Sequence, residues 1–226
     1  MRMDIIARIH GDFPTKFGIP RQSGLVGDLV STIVFESAFR DENALRGIEQ
    51  FSHLWLIWVF SENAGAGWSP TVRPPRLGGN ARVGVFATRS PFRPNPIGLS
   101  SVRLERVEKI DGLGTVLRVS GADLMDGTPI LDIKPYIPVS DIHADATGGF
   151  SDTAAGHHLI VDFPPQLLAR VPEAKRSALI GVLSQDPRPG YQRDPERVYG
   201  FPFANVELRF RVADGVLTVT EVRERE

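Results

Sequence analysis

Over the first two-thirds of the chain, apolar residues recur in short runs separated by long connections rich in Pro and Gly. Such a rhythm predicts short strands rather than long helices. Ile5–His10 reads as a first strand and Ser31–Phe35 as a second. Ala44, Leu45 and Ile48 fall at helical spacing, so Glu42–Gln50 predicts a short helix with Asp41 as its N-cap. His53–Phe60 is dense in Leu, Ile, Val and Trp, which predicts a strand buried on both faces. Arg82–Ala87, Leu99–Val107, Thr115–Ser120 and Ile130–Lys134 follow at intervals that suit a small barrel or a strongly bent antiparallel sheet. Within Ser101–Val107, strict alternation would put Val102, Leu104 and Arg106 on one face, leaving that strand apolar only at its start.

Residues Pro138 to Ser151 carry no periodic pattern and predict the edge of the first unit. Beyond them, Pro172–Leu183 predicts a helix opened by proline, with Ala174, Leu179, Ile180 and Leu183 as its apolar stripe. Asn205–Val212 alternates cleanly, with Val206, Leu208, Phe210 and Val212 inward, and Asp214-Gly215 signals a hairpin into Val216–Val222. The expected fold is therefore mainly β: a small N-terminal β-barrel over residues 1–145 and a smaller α+β C-terminal domain over residues 146–226.

Composition narrows the class. Of 226 residues, 42% are hydrophobic and 23% charged, which is ordinary for a soluble globular protein and argues against global disorder. No apolar run is long enough to span a bilayer, and the N-terminus lacks the apolar stretch of a signal peptide. Cysteine is absent, which excludes disulfides, Cys-ligated zinc and a thiol nucleophile. A cytoplasmic location is the expectation. The formal charge of −1 conceals an uneven distribution: no acidic residue lies between Glu62 and Glu105, a stretch that holds Arg73, Arg76, Arg82, Arg89, Arg93 and Arg103. GC-rich codon usage accounts for the excess of Arg over Lys, but not for acids vanishing from one segment. A local face for phosphate or carboxylate does account for it, because guanidinium donates bidentately to either.

Several familiar chemistries find no support. There is no G-x-G-x-x-G after a strand, no P-loop and no G-x-S-x-G, so the Rossmann fold, P-loop and serine-hydrolase sites drop out. His10, His53, His143, His157 and His158 form no metal-ligand spacing, and no metal is expected. What remains is an irregular middle with six prolines from Pro70 to Pro96, which stiffen loops and hold their arginines with little entropy left to lose on binding. The plain alternative is a pair of crossover loops with solvated arginines. Asp123 and Asp126, spaced i,i+3 before a Gly-Thr-Pro turn, can accept from ribose hydroxyls or an ammonium, or can simply shape the loop. Gln185–Tyr191 sets a carboxylate, a guanidinium and an aromatic on a proline-braced loop, a trio suited to phosphate contact and base stacking.

Pro20-Arg-Gln22, Phe51-Ser-His-Leu-Trp55, Arg73-Pro-Pro-Arg-Leu-Gly-Gly-Asn80, Gly84–Gly98, Asp123–Tyr136 and Gln185–Tyr191 together resemble the TrmO (YaeB, TsaA-like) family of S-adenosylmethionine-dependent tRNA methyltransferases. The resemblance implies a β-barrel cofactor domain, a smaller C-terminal domain and a homodimer. It implies N6-methylation of threonylcarbamoyladenosine at position 37, in the anticodon stem-loop of threonine tRNA. It also implies S-adenosylmethionine bound by Pro20, Arg21, Gln22, Ser61, Glu62, Arg89, Leu99, Asp123, Leu124, Met125 and Asp126. Ser61-Glu62 departs from the His-Gln pair associated with bacterial members. On this reading Arg73, Arg76, Asp186, Arg188 and Tyr191 are the candidate tRNA contacts. Methyl transfer needs neither metal nor covalent nucleophile: Asp126, or Asp123, would take the N6 proton, and Arg89 or Arg93 would steady the carbamoyl oxygen. The competing readings are a non-catalytic cofactor- or nucleotide-binding module, and a methyltransferase for another substrate.

Overall fold

The computed structural model describes residues 3–63, 65, 67–74, 81–154, 158–189, 192 and 194–225. The elements that build the first unit are β1 (Ala7–His10), β2 (Val30–Phe35), β3 (His53–Val59), β4 (Thr71–Val72), β5 (Val83–Gly84), β6 (Ile97–Ile110), β7 (Gly114–Ser120) and β8 (Pro129–Pro135). Six of them pair in the order β1-β2-β7-β6-β3-β8, and β8 returns to β1 through Ala7 opposite Ile130, so the sheet closes on itself as a barrel. Closure leaves no unpaired edge in that ring. Ile9, Ile33, Leu54, Leu56, Val102, Leu117, Val119 and Ile130 fill its interior, each no more than 1% exposed.

The differences from the expected elements have local causes. Glu42–Gln50 is not one helix but two 3-10 turns, Glu42–Leu45 and Ile48–Gln50, interrupted at Gly47 (φ 88°). Asp41 does cap the first, accepting from the Asn43 backbone N–H at 2.9 Å. β3 buries one face fully, through Leu54, Leu56 and Trp58, and leaves Trp55, Ile57 and Val59 half-buried. Trp55 is sheltered from outside by Tyr136, ring centroids 5.4 Å apart, and donates its indole N–H to Asp141. The Arg82–Ala87 strand is reduced to β5 followed by a 3-10 turn, Val85–Ala87. β6 is longer than its apolar pattern, because a register shift between Leu104 and Arg106 resets the alternation and brings Val107 onto the core.

The C-terminal unit holds β9 (Ile160–Asp162), α3 (Glu173–Ser184), β10 (Tyr199–Phe203), β11 (Val206–Ala213) and β12 (Val216–Glu224); α1 (Pro138–Asp141) and α2 (Pro165–Leu168) are single turns before α3. Its sheet runs β10-β11-β12-β9, antiparallel except for β9 against β12. The expected hairpin is thus the centre of a four-stranded sheet. In α3 the buried stripe is Ala178, Leu179, Val182 and Leu183, whereas Ala174 is exposed.

The long connection between β1 and β2 belongs to both units. Phe13, Val26 and Leu29 lie in the C-terminal core with Phe201, Phe203 and Leu179. The Phe13 ring sits 5.3 Å from that of Phe203 and 6.4 Å from that of Phe201. Gly18 is required where the same connection crosses Phe201: its φ is 93°, and a Cβ there would meet the Phe201 ring at 2.7 Å. Lys175 of α3 reaches back to the buried Asp12 at 2.7 Å. The segment 11–29 is therefore gripped along its length, and its middle, Pro20–Gln22, is held between barrel and C-terminal unit. Among the described residues no helix is long and apolar enough to cross a membrane.

Candidate active site

Several of the predicted residues meet at the end of β6. Arg89, exposed on the loop before it, donates from Nη1 to Gln22 Oε1 at 2.5 Å. The Asp123 carboxylate lies close enough to feel the Arg89 charge, and Ser100 Oγ donates to its Oδ1 at 2.5 Å. Ser100 in turn accepts from the Trp58 indole N–H at 3.0 Å. Burial pushes the Asp123 carboxyl above the usual carboxylate range, against the opposing pull of the Ser100 hydroxyl, backbone N–H groups and the Arg89 guanidinium. Ser23, next to Gln22, contributes to the same cluster by accepting from the Ser101 backbone N–H at 3.2 Å. Gly98 is what lets Trp58 lie there: a Cβ at that position would stand 2.2 Å from the indole.

The other candidates divide by what their side chains touch. Asp126 faces β1, where its Oδ1 accepts from the Gly11 backbone N–H at 3.1 Å and lies 3.2 Å from His10 Nδ1. Leu124 is in the barrel core, 5% exposed, so its side chain packs inward rather than toward a ligand. The Met125 carbonyl accepts from Thr128, closing the turn. Arg93 turns its guanidinium onto its own loop, donating to the carbonyls of Thr88 (2.7 Å), Val85 (3.4 Å) and Ser90 (3.5 Å). Pro20 is buried, Leu99 is 48% exposed on β6, and Ser61 and Glu62 are exposed in the 3-10 turn after β3.

The C-terminal loop joins this cluster rather than standing apart from it. Arg21 Nη2 donates to the carbonyls of Arg188 (2.9 Å) and Asp186 (3.3 Å), and Gln22 Nε2 donates to the Arg21 carbonyl at 2.6 Å. Asp186 and Arg188 form a bidentate pair, 2.8 Å on both arms, with side chains about 15% exposed; these hydrogen bonds raise the Arg188 pKa despite burial. A guanidinium so engaged braces the loop instead of projecting from it. Arg73 is exposed; Arg76 and Tyr191 lie outside the described residues. An open cleft of about 560 Å³, lined by His53, Arg103, Glu105 and Gly121 among others, meets the cluster only at Ser23 and Ser101, and neither Arg89 nor Asp123 lines it. Sequence reasoning missed Trp58, Ser100, Ser23 and His10, whose roles come from strand pairing and carry no linear signal.

Cation, sheltered carboxylate and hydroxyl in one place suit a zwitterionic ligand bearing hydroxyls. The group implied by the sequence fits this chemistry: Arg89 matches a carboxylate, and Asp123 an ammonium or a ribose hydroxyl. Comparison with known proteins identifies the family. Residues 8–142 match the tRNA-methyltransferase O N-terminal domain and residues 157–225 the TrmO C-terminal domain. The tRNA (adenine(37)-N6)-methyltransferase of Escherichia coli (strain K12) is 40% identical over 228 residues, covering 97% of each chain. The protein of the same name from Eikenella corrodens is 47% identical over 172 residues, 76% of this chain and 97% of its own. The crystal structure of TrmO from Pseudomonas aeruginosa superposes with a TM-score of 0.79 at 33% identity, over 99% of this chain and 98% of that one. With both of its domains matched, the chain belongs to the tRNA-methyltransferase O family.

Proposed function

We propose that this protein methylates N6 of threonylcarbamoyladenosine at position 37 of threonine tRNA, using S-adenosylmethionine. Residues 1–145 carry cofactor and chemistry, and residues 146–226 contribute to tRNA recognition. The observation that carries the reading is the convergence of Gln22, Arg89 and Asp123, joined through Arg21 to the Asp186–Arg188 loop.

Arg89 and Asp123 would hold the cofactor's carboxylate and its ammonium or ribose, with Pro20, Arg21 and Gln22 shaping one wall and Leu99 another. Ser61, Glu62 and the backbone of Leu124 and Met125 complete the ring of contacts. The cofactor supplies an electrophilic methyl group on a sulfonium centre. The attacking N6 belongs to a urea-like group, so its proton must leave. Asp126 is the acceptor for it: its side chain is 43% exposed and only Oδ1 meets Gly11 and His10, whereas Asp123 is bound by Ser100 and given over to the cofactor. Arg93 acts through the carbonyls of Val85 and Thr88 that it binds, which fix the loop carrying Arg89. Arg73, Arg76, the Asp186–Arg188 loop and Tyr191 are the proposed tRNA contacts. A homodimer in the cytoplasm is the proposed form, and the exposed Ile137, Val139 and Ile142 around α1 give an apolar surface for pairing.

The test is mass spectrometry of nucleosides from threonine tRNA incubated with protein and cofactor, metal chelated. One added methyl on threonylcarbamoyladenosine is expected, lost in Arg89→Ala without loss of fold. An unmodified nucleoside after incubation with folded wild-type protein would sink the proposal.

A further inference from the structure

The loops between β3 and β6 leave three large aromatic rings at the surface: Phe86 is 74% exposed, Trp68 55% and Phe92 43%. Rings left in water add little to stability, and when grouped they mark an interaction surface. These three are grouped by the backbone. Ser69 N–H donates to the Phe92 carbonyl at 3.3 Å, Val85 N–H to the Pro70 carbonyl at 3.0 Å, and β4 pairs with β5 at Thr71 and Gly84. The surface is also stiff, because Thr88 Oγ1 and the Arg93 guanidinium bind the carbonyls of the turn that carries Phe86.

Its charge selects the partner. No acid occurs from residue 63 to residue 104, and Arg73, Arg82 and Arg89 are exposed there. An apolar protein face has no use for an acid-free arginine belt, whereas a polyanion with flat π-faces matches cations and rings together. Beside Phe86 lies a cleft of about 280 Å³ lined by Arg93, Pro94, Asn95 and Ile97. That is below the usual range for a drug-sized ligand, about 300–1,000 Å³, and suits a single planar base better than a whole cofactor.

We infer that Trp68, Phe86 and Phe92 form a stacking platform for unpaired nucleobases of the anticodon loop, with Arg73 and Arg82 meeting its phosphates. The inference rests on the tRNA reading above and adds the residues that would distinguish a loop from a duplex. Backbone charge alone holds any RNA, but only splayed bases offer free faces to a ring.

The experiment titrates full-length protein, Trp68→Ala, Phe86→Ala and Phe86→Tyr against a synthetic anticodon stem-loop and against a duplex of the same stem. Fluorescence anisotropy at several salt concentrations reads the affinity. Each alanine should weaken stem-loop binding roughly 5- to 150-fold, the usual range for one lost stacked base. Duplex affinity and the salt slope should not change, because the phosphate contacts remain. Phe86→Tyr should bind like wild type, and melting temperatures should be equal throughout. Stem-loop binding by the alanine variants at wild-type affinity overturns the platform and leaves the methyltransferase reading intact. A drop to a smaller species in sedimentation assigns the rings to contact between copies, which also overturns it. Ring-dependent stem-loop binding by a wild-type protein that methylates nothing supports the platform and removes the proposed reaction alone.

Discussion

Phe13→Ala is the sharpest probe of how the site is held. The Phe13 carbonyl accepts from the Asp126 backbone N–H at 2.8 Å, while its ring, 3% exposed, is locked between Phe201 and Phe203. One residue thus ties the Asp123–Asp126 turn to the C-terminal core. Removing the ring forfeits its burial and leaves a cavity that flanking aromatics can only partly fill, a loss of about 3–5 kcal/mol. Against a typical total of about 5–15 kcal/mol, that is a large fraction. For a chain of this size it corresponds to a fall in melting temperature of about 6–20 °C. Circular dichroism melts of wild type, Phe13→Ala and Phe86→Ala measure it, the last being an exposed control that should lie within about 0.5 kcal/mol of wild type. Calorimetric titration below the melting range should then show weaker S-adenosylmethionine binding by Phe13→Ala alone. A Phe13→Ala protein within about 1 kcal/mol of wild type, with unchanged cofactor affinity, would refute the claim that this residue couples the two units.

Three further outcomes are expected. Because the fold holds the Asp123 proton more tightly than the unfolded chain does, wild-type stability falls as pH rises from the unfolded carboxyl value through the raised folded one; Asp123→Asn escapes that loss. Its stability relative to wild type should therefore be greater at neutral pH than in acid, and a difference flat with pH in urea melts contradicts the assignment. Gly98→Ala should displace the Trp58 indole, break its bond to Ser100 and cost about 1–3 kcal/mol, with an altered near-ultraviolet dichroism spectrum; a wild-type spectrum and melt count against it. Arg188→Ala should lower cofactor and tRNA affinity together, because the loop it braces supplies the carbonyls that hold Arg21; loss of tRNA binding alone would separate loop from site.

How far the chain could be read from its letters depends on where each signal resides. β11 was legible because Val206, Leu208, Phe210 and Val212 alternate without interruption. β10 alternates equally well, but Gly200 and Pro202 disguise it as a loop. Proline is tolerated there because β10 is an edge strand that pairs only with β11. β9 is three residues long and finds its partner in β12, more than fifty residues on, so no local pattern could reveal it. The site divides in the same way. Arg89 and Asp123 stand in spelled-out motifs, whereas Ser100 and Trp58 join them through the β3–β6 register, and Arg21 reaches Arg188 across 167 positions.

The shared β1–β2 connection also has a consequence in time. On the ribosome, Phe13, Val26 and Leu29 emerge well before the partners that cover them, Phe201 through Val222. At ordinary elongation rates of about 5–20 residues per second, the nascent chain carries those apolar groups uncovered for roughly 10–40 s. β1 must likewise wait for Ile130 before the ring can close. Long-range closure of this kind is intrinsically slow. The segment that carries Pro20–Gln22 is therefore among the last to settle, and a truncated translation product would leave its apolar side chains uncovered.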